Sequence, residues 1–144
     1  MRYTPEIINE KTLKPEEIFV FGSNESGIHG GGAAKFAADK LGAVWGNGFG
    51  KQGRTFAIPT KDWHIQTLDL GDIRFYVKRF LEYAASHKNF TFLVTKIGCG
   101  LAGLEVKDVA LFFLPVMLDK LNNVILPEEF WKELKSWNRR KDLP

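Results

Sequence analysis

The chain has 144 residues, 44% of them hydrophobic and 26% charged, the balance of a single globular domain with one apolar core. Its net charge of +3 is mild and gathers towards positions 132–141, with no basic stripe interleaved with aromatics, so nucleic acid is not an expected partner. Cys99 is the only cysteine, which excludes an intramolecular disulfide and a cysteine-rich zinc site.

No apolar run approaches the roughly 20 residues that span a bilayer. The opening MRYTPEIINEKTLKPEE lacks the apolar stretch of a signal peptide. The expectation is a cytoplasmic, membrane-free monomer. The histidines, His29, His64 and His87, are scattered and have no clustered acids, so neither a metal site nor a cofactor is expected.

In chain order, IFVF (18–21) is a short, wholly apolar run that reads as a buried strand. Ala33, Ala34, Phe36, Ala37 and Leu41 then recur at helical spacing, and Gly42 is a natural stop. Positions 43–45 read as a second strand and Gly46-Asn47-Gly48-Phe49-Gly50 as a turn. RTFAIP (54–59) alternates in β fashion and is expected to end at Pro59. Leu70 opens an amphipathic helix whose stripe is Ile73, Tyr76, Val77, Phe80, Leu81 and Ala84.

FTFLVTKI (90–97) reads as the central strand and runs into a second glycine loop, GCGLAGLE (98–105). Val106, Val109, Ala110 and Phe113 mark a helix that Pro115 should kink or end. A last short strand is expected at 123–126. A terminal helix follows over about 127–138, acidic at its start, with a short basic tail at 139–144. Strands alternating with helices predict an α/β fold in one domain, 1–144: three layers, a mixed central sheet parallel at its centre, and helices on both faces.

Two strand ends carry loops that are rich in glycine and poor in side chains, FGSNESGIHGGGAAKF (21–36) and 98–103. Open α/β sheets bind ligands beyond the carboxyl ends of their strands, and both loops lead into helix N-termini that favour an anion. Glycine lets the backbone approach a phosphate closely. Neither loop fits the P-loop pattern or the dinucleotide fingerprint. The reading is a cradle for a phosphorylated, nucleotide-like ligand. Cys99 has no recognisable histidine partner and reads as a small residue in a tight loop. Phe49, Trp45 and Trp63 are candidates for stacking on a base or for the core.

Gly22-Ser23-Asn24 with Gly30-Gly31-Gly32-Ala33-Ala34 resembles the first ligand loop of macrodomains, the ADP-ribose-binding α/β modules. Ala57-Ile58-Pro59-Thr60-Lys61 looks like a strand-end segment of the branch that includes the terminal ADP-ribose protein glycohydrolases. Lys96-Ile97-Gly98-Cys99-Gly100-Leu101-Ala102-Gly103-Leu104 resembles a third segment of that branch, and the three occur in the family's order over about two thirds of the chain.

The resemblance implies that Gly22, Ser23 and Asn24 lie near the distal ribose. It implies that Gly30, Gly31, Gly32 and Ala33 contact the diphosphate, with Thr60 beside them. Ile97, Gly98, Cys99, Gly100, Leu101, Ala102 and Gly103 would form a second phosphate loop. Lys61 would stand where the branch has its catalytic lysine, and His29 or Asp62 would be the available acid/base.

The branch's glycohydrolase has an acidic residue directly after Gly-Cys-Gly-Leu, where this chain has Ala102. A missing general acid/base costs about 10²–10⁴ in rate, so binding is expected to survive better than chemistry. The expected ligand is ADP-ribose or a related NAD-derived nucleotide, free or carried by an ADP-ribosylated macromolecule. The activity, if retained, is hydrolysis of an ADP-ribosyl ester or ADP-ribose phosphate. The alternatives are a non-catalytic reader or sequestering module and another nucleotide-signal-binding α/β protein.

Overall fold

The computed structural model describes residues 1–141 of the chain. Positions 142–144 of the expected basic tail lie outside the described residues. Five strands form one sheet, β1 (Glu17–Asn24), β2 (Gly50–Gln52), β3 (Thr55–Lys61), β4 (Thr91–Val94) and β5 (Val124–Ile125), in the order β2-β3-β1-β4-β5. All neighbours are parallel except the β2–β3 hairpin, so the sheet is mixed with a parallel centre.

Helices α1 (Gly32–Lys40), α2 (Leu70–Ala85), α3 (Val106–Ala110), α4 (Leu114–Leu118) and α5 (Glu128–Lys141) connect and follow the strands. The alternation of side chains along β1 divides the core. Ile18 and Val20 pack with α2, α3 and α5 on one face, through Val77, Phe80, Val109, Phe113, Phe130 and Leu134. Phe19 and Phe21 pack with Ala34, Ala37 and Leu41 of α1 on the other. Helices on both faces make the fold an α/β sandwich of three layers.

The first strand is longer than its apolar run. It continues through Gly22, Ser23 and Asn24, because each finds a partner on β3: Gly22 opposite Ile58, Ser23 opposite Pro59 and Asn24 opposite Lys61. The register slips between Ser23 and Asn24, a bulge at the strand's carboxyl end. Pro59 does not end β3. Strand β2 pairs only with Thr55 to Ala57, and the 66–68 segment takes up that edge again only at Thr60 and Lys61, so Pro59 falls in the gap and its missing N–H removes no ladder bond.

Two expectations of position need correction. Positions 43–45 are not a strand: the buried Gln52 side chain accepts the Val44 N–H at 2.7 Å and donates to the Asn47 carbonyl at 2.9 Å, which satisfies this segment without a ladder. The expected turn at 46–50 therefore begins earlier, and Gly50 opens β2. The strand at 90–97 is neither central nor as long as its sequence suggests. It is β4, beside the central β1, and stops at Val94, where the Thr95 hydroxyl donates to the Val20 carbonyl at 2.8 Å.

Pro115 acts as expected. Helix α3 gives way to a 3₁₀ turn over Leu111–Phe113, and α4 restarts with the proline in its first turn. Helix α5 runs to Lys141, beyond the expected end at 138, because Arg139, Arg140 and Lys141 sit in its last turn, opposite in charge to the macrodipole there.

Candidate functional site

The carboxyl ends of β1, β3 and β4 open into a cleft of about 400 Å³. Gly22, Ser23, Asn24, Gly30, Gly31, Gly32, Ala33, Thr60, Lys61, Ile97, Gly98, Gly100, Leu101 and Ala102 line it, together with Ile28, Ala34, Ile65, Thr95 and Lys96. Gly22 forms the floor. A Cβ there would meet Gly98 N at 3.4 Å and Thr60 Oγ at 3.5 Å, ordinary contact distances, so β1, β3 and the second loop already stand close around it. The two glycine loops meet at the mouth, where Leu101 reaches within 3.7–3.8 Å of where a Cβ on Gly32 or Gly31 would stand.

Helix α1 starts without a side-chain cap or an acidic residue in its first turn. The amides of Gly32, Ala33 and Ala34 have no acceptor among the described residues; the first amide to find one is that of Lys35, on the Gly31 carbonyl. In the second loop, Cys99, Gly103 and Leu104 donate inward, whereas the amides of Gly100, Leu101 and Ala102 have no acceptor among the described residues. Two loops that line the cleft thus carry amides without acceptors, and one of them opens a helix, whose N-terminus is its positive end.

Among the described residues the cleft's charged lining side chains are Lys61 and Lys96, and no carboxylate lines it. Lys96 donates to Glu129 on α5 at 3.0 Å, and that bond holds its ammonium above the ordinary lysine range. Lys61 is half-buried and ends β3 opposite Asn24, without an ion-pair partner among the described residues. Lys96 is therefore cationic at neutral pH.

Asn24 locks the first loop. Its Oδ1 accepts from Ile28 N at 2.9 Å and Ser26 Oγ at 2.8 Å, while its Nδ2 donates to the Ile28 carbonyl at 2.7 Å. Its oxygen and one of its two N–H groups are thereby engaged, so it shapes the cleft wall and keeps one side-chain N–H without a partner among the described residues. Glu25 beyond it accepts the Tyr76 hydroxyl at 2.6 Å. Burial, with help from the Glu25 carboxylate, pushes that phenol up to about 12.

His29 and Asp62 stand apart from the cleft lining. His29 is 1% exposed; its Nε2 donates to the Val44 carbonyl at 2.9 Å, which leaves Nδ1 to accept from the Ser23 hydroxyl at 3.3 Å. Stacked edge-on to Phe21, it is a strut between loops, with no ring nitrogen left for proton transfer in the cleft. Asp62 is a turn residue: the N–H groups of Gln66 and His64 bond its carboxylate and hold it below the usual range. Cys99 and Gly103 are also outside the lining, and burial pushes the Cys99 thiol up, away from the thiolate form.

The rim residues Ile28 and Ile65 carry no pattern that marks them in the sequence, whereas Leu101 belongs to the expected second loop. Ile65 holds φ of 62°, a left-handed conformation unusual for a β-branched residue, imposed by the turn that Asp62 closes. That turn is tied to the second loop by Thr67 Oγ, which donates to the Ala102 carbonyl at 2.9 Å. Trp45 and Trp63 are exposed and outside the lining, while Phe49 packs edge-on to Phe56 against the core.

Comparison with protein-family models, with curated proteins and with solved structures found no match. Among the described residues no helix is long and apolar enough to cross a membrane. The fold and cleft define an α/β protein with a glycine-rich cleft at the carboxyl end of a mixed sheet.

Proposed function

We propose that the cleft binds ADP-ribose or a related NAD-derived nucleotide, as the resemblance of its loops to those of macrodomains implies. The observation that carries this reading is that two loops with unbonded amides, 32–34 and 100–102, line one cleft together with Lys61 and Lys96. Two clusters of amides on facing loops suit a diphosphate, which needs donors on both sides. The cleft's volume falls in the range of small-molecule sites, about 300–1,000 Å³.

Hydrolysis has less support than binding. Ala102 stands where an acid/base would be needed, and neither His29 nor Asp62 reaches the cleft with an available group. Lys61 is the one member of the candidate catalytic set that faces the cleft. The function proposed is therefore recognition of the nucleotide, not its turnover.

Calorimetric titration with ADP-ribose, ADP and AMP tests this. The expected result is micromolar binding of ADP-ribose, about −8 kcal/mol, and much weaker binding of AMP. No binding of ADP-ribose, or equal binding of all three, overturns the reading.

A further inference from the structure

Ile65 is held where its type of side chain is unfavourable. Its φ of 62° is the left-handed conformation, which glycine and asparagine adopt readily and a β-branched residue resists. The conformation comes from the turn, not from the isoleucine. Asp62 Oδ1 accepts from the amides of His64 and Gln66 at 2.8 and 3.0 Å. The Asp62 N–H donates to the Gln66 carbonyl at 2.7 Å, and the Ile65 N–H to the Asp62 carbonyl at 3.1 Å. The Leu68 N–H on the Thr60 carbonyl, 2.9 Å, and the Thr67 hydroxyl on the Ala102 carbonyl anchor the turn to β3 and to the second loop. None of these bonds uses the Ile65 side chain, so the backbone would keep its path with asparagine at 65.

The fold does not use the isoleucine either. Its side chain belongs to neither half of the core, and the residue is 41% exposed. The other non-glycine residue with positive φ among the described residues is Lys120, which is unbranched at Cβ and outside the cleft lining. Ile65 combines a strained backbone, a branched apolar side chain and a place in the lining, beside the apolar Ile28 and Leu101. Strain of this kind persists only where the surroundings over-determine it, and it gathers at ligand clamps.

Building on the proposed nucleotide function, we infer that Ile65 is a ligand-contacting residue, presented by the strained turn so that its branched side chain packs on the face of the nucleotide's base. Phosphates and riboses offer charge and hydroxyls, which suit amides and lysine. The base offers the broad apolar face of such a ligand, and that face suits an aliphatic side chain. Ile65 thus sets affinity against fold stability, and replacing its side chain separates the two.

The test is thermal melting and calorimetric titration, with ADP-ribose and with ADP, of the intact protein, Ile65→Asn and Ile65→Val. Ile65→Asn suits the left-handed turn and should melt at or above the wild-type temperature. It should bind both nucleotides about three- to tenfold more weakly, by a common factor because both carry the base. Ile65→Val keeps the strain and the branched apolar side chain, so it should gain no stability and bind with an affinity between those of Ile65→Asn and wild type. A lower melting temperature in Ile65→Asn, an unchanged affinity in it, or a loss confined to ADP-ribose overturns the inference. The first result would make Ile65 a residue of the fold, and the last would place it at the distal ribose. A wild-type protein that binds no ADP-ribose is a different outcome: it removes the nucleotide reading of the cleft, and this inference with it.

Discussion

Gly48, in the glycine turn before β2, holds the cleft's first wall by having no side chain. A Cβ built on it would stand 1.9 Å from the Asn24 carbonyl oxygen, 3.0 Å from the Asn24 carbonyl carbon and 3.2 Å from that of Glu25. All are backbone atoms, so no rotamer change relieves the clash. The two turns would have to separate by more than about 1 Å to restore van der Waals contact. That movement would strain the Gly46 N–H bond to the Gly27 carbonyl, 3.0 Å, which ties the turns together.

Overpacking of this kind costs about 1–3 kcal/mol, and a backbone-on-backbone clash belongs at the upper end. For a chain of this length, about 3 kcal/mol lowers the melting temperature by roughly 6–12 °C. Because Asn24 sets the position of Ile28 and the loop leading to α1, ADP-ribose binding should weaken at least about tenfold in Gly48→Ala. Gly46→Ala is the control. Its Cβ would meet nothing within 4 Å, so only its φ of +89° opposes the change, at about 1–2 kcal/mol. Thermal unfolding and calorimetric titration of both variants read the difference. A Gly48→Ala protein that melts within about 2 °C of wild type and binds normally would refute the reasoning.

Lys61→Ala should weaken ADP-ribose binding by about five- to tenfold, with a smaller loss at high salt, and leave the melting temperature unchanged, since the side chain has no ion-pair partner among the described residues. Equal affinity in titrations at low and high salt would remove Lys61 from the site.

Glu17 governs acid stability. Burial alone would raise its carboxyl, but the Arg2 guanidinium and the Lys14 N–H outweigh it and hold the group below the ordinary value. A carboxyl depressed by folding contributes stability above its unfolded pKa, about 4.3, and loses it as pH falls through the folded value. Glu17→Gln should therefore cost about 1–2 kcal/mol at pH 7 and flatten the fall in stability below about pH 4.5, read by denaturant melts across pH.

Gly71, in the first turn of α2, has open space around its missing Cβ and no left-handed backbone. Gly71→Ala should stabilise by about 0.5 kcal/mol in chemical denaturation, through helix propensity and the unfolded chain's lost freedom.

The sequence by itself determined the class of fold and much of the site's location. Helical spacing fixed α1 and α2, because a wide apolar stripe has one way to face a sheet, and the glycine loops announced cleft walls because their composition suits close backbone approach. The bounds of β1 and β3 were not legible. Gly22 to Asn24 and Pro59 to Lys61 are poor strand formers alone, and they extend because each completes the other's ladder.

The same division holds within the site. Sequence pattern drew attention to His29 and Asp62 as chemically able residues, but only tertiary contacts decided that both are engaged, one by Val44 and Ser23, the other by its own turn. The glycine turn at 46–50 carried no functional signal, and packing alone gave it the task of seating the Asn24 turn. A side chain's chemistry is written in its type. Whether its polar atoms remain available depends on which distant backbone groups reach them first, and that is settled only when the strands are brought together.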